Sequence, residues 1–62
     1  MSAGQVTCVY HVYEAERLVA TGRLTFNDLP RVGEEVRLNG RLHVIRSVEF
    51  GAGEHLLQLH AK

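Results

Sequence analysis

The side chains able to do chemistry are four histidines, one cysteine, seven carboxylates and a few hydroxyls. A zinc site needs three or four ligands converging at about 2 Å from the ion. His55 and His60 lie five residues apart, so on one strand they face opposite sides. His11 and His43 could meet only through the topology of the fold, and Cys8 supplies a single sulfur. We therefore expect no metal and no cofactor. Catalysis needs a nucleophile beside a base, or two tuned carboxylates, in a cleft that excludes water. Glu34 and Glu35 are neighbours of opposite orientation, Glu14 and Glu16 fall in a connection, and Ser47 has no motif around it. The chain reads as a non-enzyme, the one route to chemistry being a pore site shared between copies.

The basic residues suggest a second kind of chemistry. Six of the seven are arginine, a residue suited to bidentate phosphate or carboxylate recognition. Arg17 and Arg23 are read on one strand face, Arg37 and Arg46 as neighbours, with Tyr13 or Tyr10 available to stack on a base. Against this stand seven acidic residues, a net charge of zero and an aromatic content of 6%. The basic field of sequence-independent nucleic-acid binding is absent. Single-stranded nucleic-acid binding is thus the alternative reading and not the preferred one.

Any such group must be positioned by a very small scaffold. A chain of 62 residues supports one domain, spanning 1–62, with 1–4 expected to be disordered. At this size folding buries roughly 60% of the unfolded surface, which leaves no volume for a deep internal cavity. A hydrophobic fraction of 45% is that of a folded globule. The single Cys8 excludes an intramolecular disulfide and fits a reducing compartment, and its place in an apolar run suits a buried small hydrophobe. No apolar run approaches the roughly eighteen residues that cross a bilayer. Met1-Ser2-Ala3-Gly4 lacks the flank and apolar stretch of a signal peptide, so a cytoplasmic location is expected.

Hydrophobic alternation predicts five strands. Val6, Cys8, Tyr10 and Val12 alternate within residues 5–13, and Leu18, Ala20, Gly22, Leu24 and Phe26 alternate within 17–26. These two form a hairpin through Glu14–Arg17, where a helical turn is an open alternative. Asn27-Asp28-Leu29-Pro30 is a corner, because Pro30 forces Leu29 out of the helical region. A short strand from Glu35 to Leu38 precedes Asn39-Gly40, a strong hairpin signal. Residues 41–50 and 55–61 complete the set, with Leu57 and Leu59 on one face.

The Asn39-Gly40 turn admits two registers. A two-residue loop pairs Leu38 with Arg41 and Val36 with His43, turning His43 and Ile45 inward. A three-residue loop would turn Leu42 and Val44 inward instead. We take the first, with a bulge near Arg46-Ser47 that returns Val48 to the interior. Leu42 and Val44 are then outside.

Leu29-Pro30-x-x-Gly33-x-x-Val36, followed by Asn39-Gly40 and the Ile45/Val48 pair, resembles a recurring pattern in small bacterial and phage-borne SH3-like barrel proteins. There a hairpin leads to a Leu-Pro-x-x-Gly-(Asp/Glu)-x-Val corner, and a later strand often carries Tyr-x-Val-x-x-Val. The match covers residues 10–60, with His43 where Tyr is frequent. The resemblance implies a fold and no activity. Together these readings predict an all-β protein, a small five-stranded antiparallel SH3-like barrel closed on itself. Its expected role is a binding or assembly module working by protein–protein contact or self-association, through Val9, Tyr13, Val19, Leu42 and Val44, with Leu56 on the same outward side.

Overall fold

A computed structural model describes residues 4–62 of the chain. Of the stretch expected to be disordered, residues 1–3 lie outside the described residues, and Gly4 precedes the first strand. Five strands follow: β1 (Val6–Glu14), β2 (Arg17–Phe26), β3 (Glu35–Leu38), β4 (Arg41–Gly51) and β5 (Glu54–Ala61). Among the described residues there is no helix, hence none long and apolar enough to cross a membrane.

The strands form one curled sheet in the order β2-β1-β5-β4-β3. β1 pairs with β5 in parallel, whereas the other three pairs are antiparallel. This corrects the expectation of a purely antiparallel sheet. The reason is parity: every connection reverses the chain, so first and fifth strands run the same way and must be parallel once they are neighbours. Closure is also corrected. No ladder joins β2 to β3 among the described residues, so the sheet is a half-barrel with two free edges. The end of the 27–34 segment bonds to β4 instead. Gly33 N–H donates to the Ile45 carbonyl and Ile45 N–H to the Glu34 carbonyl, each at 2.9 Å. Gly33 takes φ +95°, which a side chain would disfavour, and Pro30 is buried at the corner.

All three hairpins turn on two residues with positive φ: Ala15-Glu16 (50° and 66°), Asn39-Gly40 (51° and 81°) and Ala52-Gly53 (53° and 77°). Positive φ at both central positions is the mark of a type I′ turn, whose twist matches that of the flanking strands. The Glu14–Arg17 connection is therefore a tight turn and no helical turn forms. Asn39-Gly40 sets Leu38 opposite Arg41 and Val36 opposite His43, as the two-residue loop requires. A bulge falls between Ile45 and Ser47, and Val48 regains the interior opposite Leu57.

The inner face carries the core. Cys8, Val12, Ile45, Leu57 and Leu59 are buried, with Val6, Tyr10, Phe26, Val36, Leu38 and Val48 packed against them. Tyr10 lies across Gly22, its cross-strand partner. A Cβ on Gly22 would stand 2.6 Å from the Tyr10 hydroxyl, so the glycine makes room for the ring.

Candidate interaction surface

A second bulge decides what the outer face presents. The β1–β2 register steps from Val12–Ala20 to Tyr13–Leu18, leaving Val19 unopposed. Leu18 is thereby turned outward beside Tyr13, 53% exposed, and Val19 swings to the inner side, where it lines the open cleft. Expected alternation had these two reversed, so Val19 is withdrawn from the outward set and Leu18 takes its place. Nothing in residues 17–26 announces the extra residue, because Leu18 and Val19 are equally apolar.

Partners in register share a face of the sheet, which orders the outer side chains into rows. One row reads Leu18, Tyr13, His60, Val44 and Glu35 across β2, β1, β5, β4 and β3. Another reads Arg23, Val9, Leu56 and Glu49. Between them lie Thr21, His11, Gln58 and Ser47. Tyr13 stacks on His60 with ring centres 5.7 Å apart and planes at 26°, and meets His11 edge-on at 6.4 Å. Of the expected contact residues, Val9, Tyr13 and Val44 are thus brought onto one face, all half-buried, together with Leu56. Leu42 shares it at the margin, opposite Arg37. Sequence reasoning missed His11 and His60, whose only signal was that they share strand parity with Tyr13 once β1 and β5 lie in parallel.

Exposed ion pairs rim the molecule: Arg23 with Glu54 at 3.5 Å, Arg41 with Glu14 at 3.7 Å, and Lys62 with Glu35. Pairs this exposed contribute little to stability, but they neutralise Arg23 and Arg41 locally. The residues of the nucleic-acid reading are scattered. Arg17 pairs with Glu14 across the turn and, beyond the bulge, leaves the face that Arg23 occupies. Arg37 sits opposite Leu42, whereas Arg46 lies at the β4 bulge, about 13 Å further along that strand. Arg17, Arg23, Arg37, Arg46 and Tyr13 do not form one groove.

The inner side opens between the free edges as a cleft of about 170 Å³, lined by Tyr10, Val12, Val19, Leu38 and His43 with Glu14 and Arg41 at its mouth. His43 is 6% exposed and is the one buried polar residue among those described. Its Nδ1 is 3.1 Å from the Arg41 carbonyl. A carbonyl only accepts, so Nδ1 carries the proton. His55 instead packs against Phe50 with ring centres 4.8 Å apart. Among the described residues no three His, Cys, Asp or Glu side chains are grouped to hold a metal ion. The Ser47 hydroxyl is buried without a partner at the β4 bulge. Burial raises the pKa of the Cys8 thiol, which favours its protonated form.

No family model, curated protein or solved structure matches this chain.

Proposed function

We propose that this chain is a non-catalytic binding or assembly module, an SH3-like half-barrel that works by protein–protein contact or self-association through the outer face of its sheet. One observation carries the reading: Val9, Tyr13, Leu18, Val44 and Leu56 lie together there, with Tyr13 stacked on His60. Apolar and aromatic side chains gathered on one face support an interaction site, here in two rows divided by Thr21, His11, Gln58 and Ser47, and a tyrosine offers large contact area with few rotatable bonds. The rim of compensated charge suits a partner surface without strong net charge. The Leu29–Val36 corner, with Pro30 buried and Gly33 at φ +95°, is the feature that supports the SH3-like reading.

Val44→Glu tests the reading. Val44 is half-buried on the outer side, opposite His60. The variant should keep the far-ultraviolet spectrum of the parent and lose self-association in light scattering, or lose partners recovered by affinity purification. Unfolding of the variant would make Val44 part of the core and remove the support for this surface. Tight, salt-sensitive binding of mixed-sequence single-stranded DNA in fluorescence anisotropy would replace the protein-contact reading with the nucleic-acid one.

A further inference from the structure

The two free edges of the half-barrel are unequal. β3 is four residues long, carries Glu35 and Arg37, and has Lys62 bound to Glu35. Short length and charge are the usual protections of an exposed strand edge. β2 runs for ten residues, pairs on one side only, and has no proline. Its bulge lies near its first end, so from Ala20 to Phe26 it pairs with β1 without interruption. Along that edge no strand among the described residues bonds the backbone groups facing away from β1.

We propose that the β2 edge pairs antiparallel with the β2 edge of a second copy of this chain, about a twofold axis at Gly22, joining both copies into one continuous sheet. The proposal rests on the self-association arm of the function given above and names a different surface for it. Charge selects the register. Facing residues must share a side of the sheet, which leaves an axis at Thr21, Gly22 or Arg23 near the middle of the strand. An axis at Arg23 sets that arginine directly against its own copy, a destabilising arrangement of like charges. An axis at Thr21 brings the bulged Val19 into the ladder opposite Arg23. Over a ladder from Ala20 to Leu24 an axis at Gly22 avoids both: Thr21 faces the second copy's Arg23 on the outer side, and Ala20 faces the second copy's Leu24 on the inner side. Ala20 is exposed and Leu24 half-buried in the single chain, so this pairing covers apolar surface. A net charge of zero adds no long-range repulsion between copies.

Position 21 gives the test a sign. Thr21→Glu places a carboxylate opposite the second copy's Arg23 at two symmetric positions, and Thr21→Lys places an ammonium there. Thr21 is exposed, so both variants should fold as the parent does. Sedimentation equilibrium should show a dimer whose Kd falls about two- to thirtyfold with Thr21→Glu and rises by a similar factor with Thr21→Lys. In the unsubstituted chain, raising the concentration should slow exchange of alternate β2 amides between Ala20 and Leu24 by about tenfold or more, while the amides already bonded to β1 change little. A strict monomer at millimolar concentration overturns the pairing, and so does a dimer indifferent to residue 21. A dimer broken by Val44→Glu and indifferent to residue 21 overturns the edge pairing while leaving the outer-face reading in place. Conversely, a dimer that responds to residue 21 and not to Val44→Glu supports the edge and removes the outer face.

Discussion

Cys8 shows how burial of one side chain carries into the stability of the molecule. Unfolded, a thiol ionises at about pH 8.5. In the fold, desolvation disfavours the thiolate and raises the pKa. Above the unfolded value the folded chain therefore holds more protons than the unfolded one, and stability falls as pH rises. We expect the urea stability of the parent relative to Cys8→Ala to be largest near neutrality and to shrink between pH 8 and pH 10. A difference that stays constant over that range would mean that the thiol titrates alike in both states. The burial itself was legible in the sequence, because Cys8 alternates with Val6, Tyr10 and Val12. The orphaned Ser47 hydroxyl was not, since it follows from how a bulge encloses one atom.

Elements were the most legible scale. Period-two alternation located β2 to the residue, and of the two registers open to Asn39-Gly40 the structure shows the two-residue loop that we took. Both signals are local: one reports which side chains face water, the other a backbone geometry that few residues tolerate. The type of the Ala15-Glu16 turn stayed open in the sequence because neither residue favours positive φ, yet both adopt it. L-residues in that region cost about 1–2 kcal/mol each, and the twist of β1 against β2 imposes them. Replacing the pair, Ala15→Asn with Glu16→Gly, should raise stability by about 1 kcal/mol, read as a Tm increase of roughly 4–8 °C. An unchanged or lower Tm would show that these residues make contacts which offset their backbone strain. The Val19 bulge was illegible for a different reason: an inserted apolar residue between apolar neighbours leaves the composition of the strand unchanged.

At the scale of the molecule, the small core sets the margin. Five apolar side chains form the buried core cluster among the described residues, and a domain of this length has a total stability of about 3–9 kcal/mol. Leu57→Ala should cost about 2–5 kcal/mol, enough to populate unfolded chains at room temperature. Its neighbour Leu56, half-buried on the outer face, should cost less when changed to alanine. Urea titrations of the two variants compare the faces directly, and equal losses would mean that the outer face is as much a part of the core as the inner. The candidate surface was legible in part at this scale. Val9, Tyr13 and Val44 could be read as outward, but their assembly with His11 and His60 needed β1 beside β5.

The sequence by itself determined the strands, the Pro30 corner, the Asn39-Gly40 turn and the inward set around Cys8, Ile45, Leu57 and Leu59, because each follows from forces acting between residues close along the chain. Only the tertiary structure decided that β1 and β5 run in parallel, that the sheet stops short of closing, and that Leu18 rather than Val19 joins Tyr13 on the outside. Those outcomes depend on which distant strands share hydrogen bonds, and the residues on either side of a ladder look the same whichever partner they find.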